Sequence, residues 1–131
     1  SGGNRQFQSF GPLLILSVRQ AKRQLRARIS WDTLDILEIR ETPAYAAWFA
    51  ALRDRTARAR IDIRIRRLSL GNSGDIRPVG DCVSELRIHY GPGYRIYLTK
   101  QGDAVVILLA GGDKSSQDKD IRLAKDLARN L

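Results

Sequence analysis

Residues 82–117 read CVSELRIHYGPGYRIYLTKQGDAVVILLAGGDKSSQ, and the fold turns on how this stretch is parsed. From Val83 to Tyr90, Leu86, Ile88 and Tyr90 share one parity, and Glu85, Arg87 and His89 the other. From Tyr94 to Lys100, Tyr94, Ile96 and Leu98 alternate with Arg95, Tyr97 and Thr99. Successive side chains of a strand point to opposite faces, so such alternation marks a strand with one buried face. Between the two runs stands Gly91-Pro92-Gly93. Glycine supplies positive φ and proline fixes φ, which makes this a hairpin signal. Ala104 to Ala110 is a near-continuous apolar run, suited to a strand covered on both faces. Gln101-Gly102-Asp103 supplies the turn into it. The expectation is a three-strand antiparallel meander whose polar face carries Arg87, Arg95 and Tyr97.

Next comes Gly111-Gly112-Asp113-Lys114-Ser115-Ser116. A helix is expected from about Ser116, with Ile121, Ala124, Ala128 and Leu131 on one stripe. Ser115 with Asp118 three residues on resembles a capping box with Asp in the Glu position. Lys114 then sits beside a helix N-terminus, where free N–H groups and the macrodipole favour anions. Arg87, Arg95 and Lys114 are placed to converge on a phosphate.

Upstream, Leu37 to Arg40 reads as a short first strand. Thr42-Pro43 starts a helix, with Thr as N-cap and Pro at the first helical position. Tyr45, Trp48, Phe49 and Leu52 follow at helical spacing, an aromatic stripe read as core. Arg55 to Leu70 carries two patterns. Ala57, Ala59, Ile61, Ile63 and Ile65 alternate as in a strand; Ala57, Ile61, Ile65 and Leu68 fit a helix. The run is long for a strand, whose usual length is about 5–6 residues. Its arginines are read as a solvated face. Residues 71–81 read as a turn-rich loop.

The 131 residues suit one domain. The net charge is +9, with six basic and two acidic residues before Ile36 and 17 basic and 12 acidic residues from there on. Arginines interleaved with aromatic residues near the hairpin favour a polyanion or an acidic partner over plain solubility. Cys82 stands alone, so no intrachain disulfide can form, and a reducing cytoplasm is expected. No run approaches the roughly 18–20 apolar residues of a membrane span. The chain has no methionine, so a fragment or processed product is expected. Residues 1–35 read as an N-terminal extension. Leu14, Val18, Ala21, Leu25 and Ile29, with basic residues between, outline an amphipathic helix. The favoured reading is an extension without function, outside the natural start.

The runs SELRIHYGPGYRIYLT and VVILLAGGDKSSQDKDI, with LEIRETPAYAAWFAALRD upstream, resemble the RelE/ParE superfamily of bacterial toxins. They are most similar to its HigB-like, phage-derived "addiction module killer protein" branch. The resemblance covers residues 36–131. It implies an α+β domain: two N-terminal helices, the second spanning the ambiguous arginine-rich run, packed on a small antiparallel sheet with a C-terminal helix. It implies the toxin of a type II toxin–antitoxin system. The activity expected is that of a ribosome-dependent mRNA endoribonuclease, in which the ribose 2′-OH attacks the scissile phosphate. The alternative is a ParE-like inhibitor of DNA gyrase without nuclease activity. A third class is a plain nucleic-acid-binding module. Residue by residue, the resemblance makes Arg87, Arg95 and Lys114 the phosphate-site candidates, with Gln117 also on the RNA. Tyr97 shares the face of Arg95. His89, the only near-neutral titrating side chain, shares the parity of Arg87 and is an acid–base candidate. The implied partners are a cognate helix-turn-helix, HigA-like antitoxin, the ribosome and mRNA.

Other chemistries find little support. One His and one Cys do not make a four-ligand zinc site. Cys82 and His89 have opposite strand parity, which disfavours a Cys–His nucleophile pair. Cys82 is read as a small packed residue. The spacing of a phosphate-binding P-loop is absent from residues 111–115. No metal and no cofactor are expected.

Overall fold

The computed structural model describes residues 37–131; the extension, with its candidate amphipathic helix, lies outside them. Over the described residues the fold is α+β, with a five-stranded mixed sheet and three helices. Strand β1 is Glu38–Glu41, followed by helix α1 at Pro43–Ala51 and helix α2 at Arg55–Ser69. Strands β2 (Ile76–Gly80), β3 (Val83–Ile88), β4 (Tyr94–Gln101) and β5 (Val105–Gly112) come next. A single 3₁₀ turn, Lys114–Ser116, leads into helix α3 at Gln117–Arg129.

The sheet order is β1-β5-β4-β3-β2. The expected meander is present as β3-β4-β5, with antiparallel pairing. The expected purely antiparallel sheet is corrected at one edge: β1 lies parallel to β5, Glu38 opposite Val105 and Glu41 opposite Leu108. Residues 76–80, expected as loop, form strand β2 at the other edge. An edge strand needs only half its backbone groups paired, so Pro78 is tolerated there. Asp81 and Cys82 turn the chain from β2 to β3 with φ of 54° and 63°. Positive φ at both turn positions matches strand twist in a two-residue hairpin. This corrects the expectation for Cys82, which is exposed on the turn rather than packed.

The helical pattern wins over Arg55–Ser69. Ala57, Ile61, Ile65 and Leu68 are buried, whereas Ala59 and Ile63 of the alternating pattern are exposed. Asp54 caps α2 by accepting from Thr56 N and Ala57 N. Thr42 caps α1 by accepting from Tyr45 N at 3.1 Å, and its hydroxyl donates to Leu109 O at 2.6 Å. Leu109 is the extra residue of a bulge, between the pairs Tyr97–Ala110 and Leu98–Leu108. The side chain that starts the helix thus bonds at the point where the ladder is interrupted.

Two cores form, one on each face of the sheet. Tyr45, Phe49, Ile61 and Ile65 of α1 and α2 pack on Leu86, Ile96, Leu98 and Leu108. On the other face, Ala124, Ile121, Leu127 and Ala128 of α3 pack on Val83, Tyr97, Ile107, Leu109 and Ala110. Leu131, expected on the α3 stripe, is exposed. The β3–β4 hairpin is tied to α2 at its tip. Tyr90 OH donates to Asp54 Oδ2 at 3.0 Å, and the Arg60 guanidinium lies 4.7 Å from the Tyr90 ring centroid.

Candidate functional site

The register sets Arg87 opposite Arg95, and Glu85 opposite Tyr97 on the neighbouring rung. All four share the sheet face that α3 covers. The expected open polar face is therefore corrected: Glu85 is 1% exposed, Arg95 6% and Tyr97 0%. The apolar stripe of α3 draws the helix onto Tyr97 and its neighbours, and the adjoining polar rung is enclosed with them. Enclosed charges need partners. Glu85 Oε2 accepts from Tyr97 OH at 3.1 Å and from Gln117 Nε2 at 2.7 Å. Arg95 Nε approaches the same oxygen at 3.4 Å, an ion pair without hydrogen-bond geometry. Arg95 Nη1 donates to Gly93 O at 2.8 Å. Burial, then the neighbouring Glu85 charge, pushes the Tyr97 phenol well above its ordinary range. Tyr97 is thus a neutral donor, and Gln117 faces inward on Glu85.

Arg87 is half-buried, and its Nε is enclosed without a hydrogen-bond partner. Its carbonyl accepts from Arg64 Nη1 at 2.8 Å, which braces the end of β3 against α2. Lys114 is exposed and stands at the same end of the hairpin. A Cβ placed on Gly93, whose φ is 80°, would lie 3.2 Å from Arg95 Nη1 and 3.6 Å from Lys114 Cβ. Glycine at this turn lets the two cations approach the hairpin tip together.

Gly111 and Gly112 have a packing role. A Cβ on Gly111 would enter the Trp48 ring of α1; one on Gly112 would meet the Asp120 carboxylate of α3. The end of β5 is pinched between helices on opposite faces. Asp120 accepts from Ser116 Oγ at 2.5 Å. The expected capping box of Ser115 and Asp118 is corrected to Asp113 and Ser116. Asp113 Oδ1 accepts from Ser115 N at 2.8 Å, and Asp113 N donates to Ser116 Oγ at 3.4 Å. The Ser115 hydroxyl, which also donates to it, holds the Asp113 carboxyl below its ordinary range. Outside this turn runs an open groove of about 320 Å³, with Lys114, Lys119 and Arg122 among its lining residues.

His89 stands apart from the Glu85 network. It follows β3, is exposed, and its Nε2 lies 2.5 Å from Asp75 Oδ2. The structure thus brings Arg87, Arg95 and Lys114 to one end of the hairpin, buries Tyr97 and turns the half-buried Gln117 onto Glu85. His89 lies at the β2 side. Sequence reading missed the roles of Glu85 and Asp75. The apolar run of β5 carried a usable signal for Glu85: a strand covered on both faces implies a cover that also reaches its neighbour β4. No comparable signal marks Asp75, which closes a glycine-rich loop. Among the described residues no cluster of His, Cys, Asp and Glu suits a metal ion, and no helix is long and apolar enough to cross a membrane.

No family model matches the chain. No solved structure matches it either. An uncharacterized protein of Haemophilus influenzae is 50% identical over 95 residues, which are 72% of this chain and 96% of that protein. At that identity and coverage, the chain belongs to the same family as the Haemophilus influenzae protein.

Proposed function

We propose that the chain is the toxin of a type II toxin–antitoxin system, of the RelE/ParE superfamily and its HigB-like branch, acting as a ribosome-dependent mRNA endoribonuclease. The order of two helices, a small sheet and a last helix is consistent with that fold. One observation carries the reading: Arg87 sits directly across the sheet from Arg95, with Lys114 at the same end. Like charges directly opposite on neighbouring strands oppose folding. An anion bound between them relieves that repulsion. Phosphate suits these side chains, since a guanidinium binds it bidentately and stays charged. In a phosphoryl transfer the negative charge on the phosphorus oxygens is stabilised by cations already fixed in place. Attack by a 2′-OH restricts the substrate to RNA. Arg95, braced by Glu85 and Gly93 O, contributes a fixed positive field; Arg87 and Lys114 are the groups that reach the phosphate.

A cognate helix-turn-helix antitoxin would hold such a toxin inactive. The second reading, a gyrase inhibitor without catalysis, is favoured by the enclosure of Tyr97 and Arg95, two of the residues expected to act on RNA. Pulse labelling after induction separates the two. The nuclease reading expects protein synthesis to stop first. A fall in DNA synthesis with translation intact rejects it. Lys114→Ala is the clean probe because the side chain is exposed. It is expected to relieve growth arrest at equal soluble expression.

A further inference from the structure

Asp75 immediately precedes β2, and His89 immediately follows β3. Arg87 N donates to Asp75 O at 3.0 Å, so main-chain pairing holds the two segments together. Asp75 Oδ2 meets His89 Nε2 at 2.5 Å. The charges facing this carboxylate come from every neighbouring element: Arg77 on β2, Arg87 on β3 and Arg64 on α2. The hydrogen bond to His89 is the largest cause that holds the Asp75 carboxyl below its ordinary range. Asp75 is thus an ionised, acceptor-only partner. Nε2 of the imidazole must carry the proton of their bond, and in the neutral ring Nδ1 keeps its lone pair. The His89 side chain is 69% exposed. His89 stands two residues beyond Arg87, just past the end of β3, where Tyr90 N donates to Ile88 O and turns the chain.

We propose that Asp75 is a positioning residue that fixes His89 in the Nε2–H tautomer, so that His89 Nδ1 serves as general base toward the ribose 2′-OH of an RNA held on Arg87 and Lys114. The inference rests on the endoribonuclease reading above. In the step, the 2′-O–H bond breaks and its proton passes to His89 Nδ1. The bond from O2′ to phosphorus forms as the bond from phosphorus to O5′ breaks. The departing 5′ oxygen takes a proton from water, and the imidazolium later returns its own to solvent. The products are a 2′,3′-cyclic phosphate and a 5′-hydroxyl.

The test uses the full chain with programmed ribosomes and a defined mRNA, comparing wild type with His89→Gln, Asp75→Asn and Asp75→Glu. His89→Gln is expected to lower kcat by about 10²-fold or more, the usual range for a lost general base, with little change in KM. Asp75→Asn is expected to lower kcat at unchanged KM, and Asp75→Glu to restore part of it. Ring ¹⁵N shifts of His89 should report the Nε2–H tautomer in wild type and a mixture of tautomers in Asp75→Asn. A wild type that cleaves while His89→Gln cleaves equally fast overturns the dyad alone. Retention of the Nε2–H tautomer and full kcat in Asp75→Asn does the same. A wild type that leaves mRNA intact on the ribosome overturns the nuclease reading, and the role of the dyad with it.

Discussion

Glu85 gathers a tyrosine and an arginine of β4 and a glutamine of α3 onto a single oxygen. Removing an acid from such a setting does more than delete its bonds, because it takes away the ion-pair partner of the enclosed Arg95 charge. Glu85→Ala is expected to cost about 3–5 kcal/mol in urea unfolding, the range for breaking a buried ion pair from one side. Tyr97→Phe should cost only about 1 kcal/mol, since Glu85 keeps two of its contacts. The raised Tyr97 pKa gives a sign in alkali. Above about pH 10 the unfolded chain releases the phenolic proton while the folded chain keeps it. Stability is therefore expected to fall as pH rises from there toward the folded-state value. Tyr97→Phe should flatten that part of the stability–pH curve, which denaturant titrations at successive pH values would reveal. The placement of Arg87 and Arg95 on one face was legible from alternation; the register that sets them directly opposite each other was not. The burial of Arg95 was not legible in the hairpin itself, because period-2 patterning separates two faces without saying which one a later helix will cover; the signal for that cover lay in the apolar run of β5.

At the scale of the element, the glycine pair that ends β5 is the tightest fit. Gly111→Ala is expected to destabilise by at least about 2 kcal/mol through overpacking against Trp48, read as a lower melting temperature. Combining it with Trp48→Ala should recover part of that loss, as expected for residues in contact. Strands β3, β4 and β5 were readable because each carries its own local pattern. Strand β2 was not: Asn72, Gly74, Pro78 and Gly80 are turn residues, and only its position at the edge makes Pro78 acceptable in a ladder. The parallel place of β1 was equally hidden, since a parallel neighbour has no turn between the strands to announce it. Helix α2 was decided by its caps and by the four buried positions, which a strand reading would have split.

Across the whole molecule, the arginines of α2 divide into two groups. Arg58 lies over Phe49, Arg60 over Tyr90, and Arg64 donates to the carbonyls of Arg87 and Ser73. The expectation of a wholly solvated arginine face is thus corrected. Arg55, Arg66 and Arg67 are exposed; Arg66 and Arg67 stand within a turn of the exposed Ile63 and Leu70 at the C-terminal end of the helix, and Arg55 at its other end. A basic surface with apolar residues in it suits an acidic amphipathic segment, and we propose it as the contact for the antitoxin. Arg66→Glu with Arg67→Glu is expected to weaken a co-purified complex at moderate salt and leave the fold intact. Unchanged binding would move the contact to the basic end of the hairpin. The parallel pairing of β1 with β5 also sets an order in time. Thr42 and Leu109 are joined across 67 residues, whereas each hairpin of the meander closes over a short turn. Closing the longer loop costs more chain entropy, and distant contacts slow folding. The β2-to-β5 meander is expected to form in the rate-limiting step, with β1 docking afterwards. Ile96→Val should then slow refolding in stopped-flow measurements, whereas Ile39→Val should mainly speed unfolding. The reverse pattern would place β1 in the nucleus. In the expected order, the first strand of the sheet is the last to find its partner.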